Sequence, residues 1–192
     1  MPRARVGILI SGRGSNMAAL IEATRDPACP YEVVLIISNV ADADGLAFAA
    51  AEGIPQFAHS HVGLTKAEFE ALIDGALRDA GVDYVALAGF MRVLSPDFVA
   101  RWDGRIVNIH PSLLPLYRGL DTHQRALDAG DTRHGASVHL VTAALDGGPV
   151  LAQAEVPILE GDDAEALARR VLIEEHMLYP AALAELIRSR GA

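Results

Sequence analysis

The chain has 192 residues, of which 51% are hydrophobic and 5% aromatic, so its core must be mainly aliphatic. Its formal net charge of -9 argues against binding to nucleic acid or to an anionic membrane surface, because bulk repulsion would oppose both. A lone cysteine, Cys29, cannot form an internal disulfide and suits a reducing compartment. The N-terminal apolar run is too short for a signal peptide or a membrane span. We therefore expect a cytoplasmic protein with a single domain over residues 1–192.

Short apolar runs alternate with longer amphipathic segments along the chain. The runs typical of strands are Val6–Ile10, Val33–Ser38, Tyr84–Ala88, Ile106–Ile109 and Ser137–Val141. The segments typical of helices are Asn16–Thr24, Ala43–Ala51, Lys66–Ala80 and Asp163–Arg188. The alternation predicts an α/β fold: an open, mostly parallel twisted sheet with helices on both faces. The segment 145–158 is expected to add one antiparallel strand near the C-terminus.

The first predicted strand leads directly into the sequence SGRGSN, residues 11–16, and then into a helix. Gly12 and Gly14 permit a tight turn, and the unpaired N–H groups at a helix start favour anions. The dinucleotide fingerprint GxGxxG does not fit because residue 17 is methionine, and no Gly-Lys-Ser or Gly-Lys-Thr follows to make a P-loop. The loop is therefore either a phosphate cradle or a turn that needs glycine only for steric reasons.

A polar pair stands at the end of the strand-like run IVNIH, residues 106–110. Asn108 and His110 are two positions apart, so their side chains share one face of the strand. Pro111 has no N–H for a ladder and ends the strand at His110. Open α/β sheets place ligands at the carboxyl ends of their strands. The pair is thus either part of a ligand site or an ordinary strand end that meets water.

Asp146 in the sequence LDGGPV is either turn chemistry or a carboxylate that acts on His110. A carboxylate close to that histidine would favour the imidazolium form and keep a proton available near neutral pH. His59 and His61 form an HxH pair, but no cysteine or carboxylate cluster accompanies them, so we expect no metal site. A structural or surface role is expected for the other histidines, His123, His134, His139 and His176.

Four motifs taken together, SGRGSN, AGFMRVL, NIHPSLLP and LDGGPV, resemble those of the phosphoribosylglycinamide formyltransferase family of purine biosynthesis. The resemblance runs from Val6 to about Pro180, with the motifs in the family's order. It implies the formyltransferase fold and the transfer of a formyl group from 10-formyltetrahydrofolate to the amine of glycinamide ribonucleotide. We therefore expect neither the extra domain of methionyl-tRNA formyltransferase nor the N-terminal regulatory domain typical of formyltetrahydrofolate deformylase.

The resemblance also implies roles for individual residues, three of which would be catalytic: Asn108, His110 and Asp146. The ribonucleotide would be bound by Gly14, Ser15, Asn16 and Glu175. The folate would be bound by Lys66, Met91, Arg92, Val93, Leu94 and Asn108. Arg118 lies in a segment that varies among relatives, so no contact is assigned to it.

The chemistry implied by the resemblance is acyl transfer by direct attack of an amine. Asn108 and a protonated His110 would donate hydrogen bonds to the developing oxyanion, and Asp146 would keep His110 cationic. The two small molecules would be the partners, with no nucleic acid, no membrane and no metal, and the chain would be a monomer or a homodimer. The alternatives are hydrolysis of formyltetrahydrofolate, transfer to another amine such as a nucleotide sugar, and a non-catalytic nucleotide-binding module.

Overall fold

The computed structural model describes residues 2–191, and in this part of the chain seven strands and six helices follow one another. The strands are β1 (Ala4–Ile10), β2 (Tyr31–Ser38), β3 (Gln56–Ala58), β4 (Tyr84–Leu87), β5 (Ile106–His110), β6 (Arg133–Leu140) and β7 (Val150–Pro157). The helices are α1 (Ser15–Ala23), α2 (Asp44–Ala51), α3 (Lys66–Asp79), α4 (Pro96–Arg101), α5 (Thr122–Asp128) and α6 (Ala164–Arg190). None of these helices is both long enough and apolar enough to cross a membrane.

The strands form one sheet in the order β3-β2-β1-β4-β5-β6-β7. The pairs from β3 to β5 are parallel, whereas β6 is antiparallel to both β5 and β7. The α/β fold with a mostly parallel sheet is confirmed, and one strand runs against the others. That strand is β6, and the segment 145–158 supplies β7, which pairs with it in antiparallel fashion as expected. A short connection joins neighbouring strands in antiparallel fashion, so β7 reverses the direction of β6 and runs with the rest of the sheet.

Two apolar clusters cover the two faces of the sheet, as the alternation of strands and helices predicts. Residues of β1 alternate between them: Ile8 and Ile10 pack on one side and Leu9 on the other. The first side is covered by α1, α2 and α6, and the second by α3 and α4. Tyr179 of α6 is fully buried, and its hydroxyl lies within hydrogen-bond distance of the carbonyls of Leu87 and Val107. This contact ties α6 to β4 and β5 near the end where both strands stop.

Three short elements, β3, α4 and α5, are absent from the elements predicted from the sequence. Each is too short to show a clear hydrophobic period. The start of α4 nevertheless carries readable signals. Ser95 caps it by accepting the N–H of Phe98 at 3.1 Å, and Pro96 is its first helical residue.

Candidate active site

Three loops meet at one edge of the sheet, where β1, β4 and β5 end side by side. From β1 the chain moves outward to β2 and β3 and then returns to β4 on the other side of β1. Open α/β sheets bind ligands at such a reversal of strand order. The reversal brings together the glycine loop (residues 11–16), the β4–α4 loop (residues 88–95) and the end of β5.

Asn108 and His110 lie at that end of β5, and the neighbouring β6 contacts both. Asn108 pairs with His139 across the two strands, and its Nδ2 lies 3.2 Å from His139 Nε2. His110 is 6% exposed, and its Nε2 lies 2.9 Å from the carbonyl oxygen of Tyr117. Since a carbonyl only accepts, Nε2 carries a proton that fixes the ring. The second ring nitrogen, Nδ1, then faces Asp146.

Asp146 lies in the β6–β7 connection, between two imidazole rings. Its Oδ2 is 3.5 Å from His110 Nδ1, and its Oδ1 is 3.6 Å from His139 Nε2. The N–H of Gly119 donates to Oδ2 at 3.0 Å. Burial works to raise the pKa of Asp146, but the contacts with His139, the Gly119 N–H and His110 outweigh it and hold the pKa below its ordinary value. The carboxylate is therefore ionised at neutral pH and stabilises positive charge on its neighbours.

The backbone on both sides of His110 is strained. Asp146 and Tyr117 adopt the left-handed conformation, with φ of 46° and 51° respectively, which is uncommon for residues other than glycine. Gly148 allows the connection to fold back on β6, since a Cβ at this position would lie 1.8 Å from the carbonyl oxygen of Leu140. Strained residues cluster at functional sites. Here two of them contact the same imidazole ring.

His139 is the site residue that the sequence analysis misses, since it expects a structural or surface role there. The residue is 2% exposed, and its Nδ1 donates to the carbonyl oxygen of Leu140 at 3.0 Å. The Asn108 amide and the Asp146 carboxylate both lie against its other nitrogen. Only the antiparallel register of β5 and β6 reveals this, and no spacing in the sequence encodes that register.

The glycine loop forms one wall of a cleft of about 170 Å³, lined by residues 12–16 and 88–89. Gly14 is the N-cap of α1 and has a φ of 71°, a left-handed conformation that glycine adopts without a steric penalty. The first N–H groups of the helix have no partner within the helix. The cleft therefore combines backbone donors with the positive end of the helix dipole, which suits a phosphate.

Asn16 and Glu175, both expected at the ribonucleotide, meet at this cleft although they come from opposite ends of the chain. Asn16 Nδ2 donates to Glu175 Oε2 at 2.9 Å. Burial raises the pKa of Glu175, and the hydrogen bond from Asn16 opposes the shift. Asn16 Oδ1 is buried without a hydrogen-bond partner among residues 2–191. A buried acceptor of this kind is suited to a donor group on a ligand.

The β4–α4 loop contains four of the six residues expected at the folate, and two of these four are exposed. The side chains of Met91 and Val93 are 69% and 58% exposed, whereas Leu94 is buried in the core and can offer only its backbone. The guanidinium of Arg92 lies 5.9 Å from the centre of the Phe69 ring in α3. Exposed Lys66 is the first residue of that helix, one turn before Phe69.

A larger apolar groove, of about 330 Å³, lies between β7 and α6. Glu185 is the one ionisable residue in its lining. None of the site residues expected from the sequence lines this groove. Within residues 2–191, no three His, Cys, Asp or Glu side chains are grouped as a metal site would require.

Comparison with known protein families matches the chain to one of them. The model of a family described as formyl transferase matches residues 4–183. The chain belongs to the formyl transferase family. Formyl transferases are group-transfer enzymes, so the cluster around His110 lies in an enzyme.

Individual formyl transferases confirm the resemblance to phosphoribosylglycinamide formyltransferases. The chain is 46% identical over 176 residues to the phosphoribosylglycinamide formyltransferase of Escherichia coli strain K12, a match that covers 90% of this chain and 82% of the relative. The crystal structure of phosphoribosylglycinamide formyltransferase from Brucella melitensis superposes with a TM-score of 0.93 at 53% identity. That match covers 97% of this chain and 96% of the Brucella chain.

Longer relatives also contain this formyl transferase sequence. The chain is 48% identical over 188 residues to the trifunctional purine biosynthetic protein adenosine-3 of Drosophila pseudoobscura pseudoobscura. The match covers 96% of this chain and 14% of the relative, so the chain spans about a seventh of that protein's length.

Proposed function

We propose that this formyl transferase transfers the formyl group of 10-formyltetrahydrofolate to the amine of glycinamide ribonucleotide. One observation carries the proposal: the Asp146 carboxylate lies between His110 and His139, beside Asn108, at the end of β5. The names of the relatives at 46% and 53% identity support the choice of acceptor. A module that only binds a nucleotide would not need a buried carboxylate between two imidazoles.

The ribonucleotide is assigned to the cleft beside the glycine loop. The backbone donors of Gly14, Ser15 and Asn16 suit its phosphate. Glu175 holds the Asn16 side chain in place beside this cleft through its hydrogen bond. The phosphate then binds through backbone dipoles, which is compatible with a net charge of -9.

The β4–α4 loop fits a flat, polar heterocycle such as the pterin of a folate. Among residues 2–191, the backbone between Gly89 and Leu94 makes one hydrogen bond, through the N–H of Met91. The other N–H and carbonyl groups of this stretch are available to a ligand, and the exposed side chains of Met91 and Val93 add apolar surface. Lys66 and Arg92 supply positive charge beside the loop. The bound folate supplies a formyl group that is activated for transfer to an amine.

The side chains at the end of β5 stabilise the charge that develops during transfer. The Asn108 amide donates a hydrogen bond to the formyl oxygen as its negative charge grows, and a protonated His110 stabilises the same charge. Each preorganised donor of this kind lowers a barrier by about 2.7–4 kcal/mol. The carbonyl of Tyr117 holds His110 Nε2–H, so the ring stays oriented with Nδ1 toward Asp146.

Asp146 stabilises the protonated His110 and accepts the proton of the attacking amine through water. The step forms a bond from the amine nitrogen to the formyl carbon, breaks the bond from that carbon to folate N10, and delivers the proton to N10. No side chain becomes covalently attached. The rest of the rate enhancement comes from holding the two reactants close together in the orientation that the reaction requires.

An assay of formyl-donor consumption tests the proposal. The purified chain is incubated with 10-formyltetrahydrofolate, with and without glycinamide ribonucleotide. Consumption that requires the ribonucleotide, with formylated ribonucleotide as the product, is the expected result. Consumption without any amine would indicate a hydrolase instead, and tight binding without turnover would indicate a nucleotide-binding module.

A further inference from the structure

Ser11 connects the two loops assigned to the two substrates, and none of the roles described above involves it. It is the first residue after β1 and begins the glycine loop. Its Oγ accepts a hydrogen bond from the backbone N–H of Met91, at 2.8 Å, in the β4–α4 loop. The same hydroxyl lies 2.5 Å from Oδ1 of Asn39, which follows β2.

The direction of these hydrogen bonds is fixed. The Met91 amide can only donate, so the Ser11 hydroxyl gives its proton to Asn39 Oδ1. The Asn39 amide nitrogen is thereby turned toward His61 Nδ1, 3.2 Å away. Asn39 is 5% exposed, and the His61 ring packs edge-on against Phe69, with 6.2 Å between ring centres. Asn39 thus aims a lone pair of the Ser11 oxygen at Met91.

The middle of the β4–α4 loop depends on this one contact. The loop is tethered at its start by Ala88 N–H to the Leu9 carbonyl and at its end by Ser95 N–H to Glu70 Oε1. Between these ends, the hydrogen bond from Met91 to Ser11 is the one that the loop's backbone makes within the described residues 2–191. The neighbours of Met91 do pack, since Phe90 contacts the core and Arg92 lies over the Phe69 ring, but the Met91 side chain itself is 69% exposed and adds little packing of its own.

We propose that Ser11 is a positioning residue that holds the folate-side loop against the ribonucleotide loop, and that Asn39 orients its hydroxyl. The inference rests on the proposed function, which assigns the β4–α4 loop to the formyl donor. Loss of the Ser11 hydroxyl frees the middle of that loop. It leaves the backbone donors of Gly14, Ser15 and Asn16 unchanged.

Kinetics of Ser11→Ala test this assignment, with Ser60→Ala as the matched control. Ser60 Oγ also accepts a backbone N–H, that of Val62 at 3.2 Å, but it lies in an exposed loop and makes no contact with Ser11 or Met91. Ser11→Ala is expected to raise KM for the formyl donor about tenfold and to leave KM for the ribonucleotide within about twofold of the wild type. Ser11→Thr keeps a hydroxyl, so its KM for the formyl donor should stay close to that of the wild type. Asn39→Leu should raise this KM by less than Ser11→Ala does.

Amide hydrogen exchange at Met91 supplies a readout that is independent of activity. Ser11→Ala is expected to speed exchange of this amide about tenfold, because its one acceptor is removed. Ser60→Ala leaves the exchange unchanged. Equal exchange in the wild type and Ser11→Ala overturns the inference, as does a KM for the ribonucleotide that rises together with that for the donor.

The same experiments separate this inference from the proposed function. A wild-type chain that transfers the formyl group, with unchanged donor KM in Ser11→Ala, overturns the role of Ser11 alone. A wild-type chain that transfers no formyl group overturns the proposed function and, with it, the assignment of the loop to the donor, even where Met91 exchange depends on Ser11.

Discussion

Two pairs of histidines lie near the end of β5, and they differ in what stands between their rings; three of the four rings are buried and His123 is half-buried. His110 and His139 share the ionised carboxylate of Asp146, at 3.5 and 3.6 Å. In the second pair, His123 Nδ1 and His134 Nε2 lie 3.2 Å apart, in direct contact. Burial, followed by the nearby His123, lowers the pKa of His134 to about 4, and burial lowers the pKa of His123 as well.

The comparison shows that burial governs the second pair, whereas an ionised carboxylate lies between the rings of the first pair. In the second pair burial lowers the pKa of both rings, and at His134 it outweighs the opposing charge of Asp131, so the rings are neutral at pH 7 and act as packing with a hydrogen bond. In the first pair the ionised carboxylate of Asp146 lies against both rings and places a fixed negative charge beside the Asn108 amide. The first pair therefore suits chemistry and the second suits structure.

The largest effect is expected from removing the two side chains beside the carboxylate. His110→Ala and Asn108→Ala should each lower kcat about a hundred- to a thousandfold, because each removes a group that stabilises the developing oxyanion. Steady-state kinetics and isothermal titration of the ribonucleotide measure turnover and binding separately. The exposed loop histidine variant His59→Ala serves as the control and should keep wild-type turnover.

Near-normal kcat in both His110→Ala and Asn108→Ala would remove the distinction between the two histidine pairs. A weaker affinity for the ribonucleotide that accounts for the whole loss would move these residues from catalysis to binding.

A smaller effect is expected from His139, which contacts Asn108 and Asp146 rather than substrate. His139→Gln should lower kcat about tenfold with little change in KM for either substrate, because the two neighbouring side chains lose their shared partner. His123→Gln changes a half-buried histidine of the other pair in the same way. Equal losses of kcat in the two variants would show that burial alone matters.

The smallest effect concerns the stability of the second pair. His134 is neutral in the folded chain down to about pH 4, whereas an unfolded histidine gains a proton near its ordinary pKa. The unfolded state thus binds more protons between these values, and stability falls as the pH drops through this window. Urea unfolding measures the free energy of unfolding at each pH. Between pH 7.5 and 5.5 this free energy should fall by about 1 kcal/mol less in His134→Gln than in the wild type. An identical pH dependence in both proteins would contradict the pKa of His134.

The sheet and its helices could be predicted from the sequence because hydrophobic period and element length are local properties. The runs around Val6 and Tyr84 alternate with amphipathic segments, and that pattern alone predicts an α/β sheet. Its limits appear at β6. Strand direction there follows from the β6–β7 connection and from pairing with β5, which are properties of the folded chain.

The site was predictable in part, and mostly through its motifs. Asn108 and His110 share a strand face because strand side chains alternate, a rule that needs no tertiary information. The approach of Asp146 to His110 depends on a connection that folds back over β6, so residue spacing leaves it open and only the family resemblance implies it. His139 reaches the site through the register of β5 and β6, and Ser11 contacts the second loop through a hydrogen bond to its hydroxyl. Neither contact leaves a signal in the sequence.

The pH dependence of kcat in Asp146→Asn tests most directly whether the carboxylate between the two imidazoles makes this the reactive site. Asparagine keeps the size of the side chain and an acceptor for Gly119 but removes the charge. Because the charge stabilises the protonated ring, the decline of kcat at high pH should begin at lower pH in the variant, with maximal kcat reduced at least about tenfold. An unchanged profile with full turnover would contradict the account.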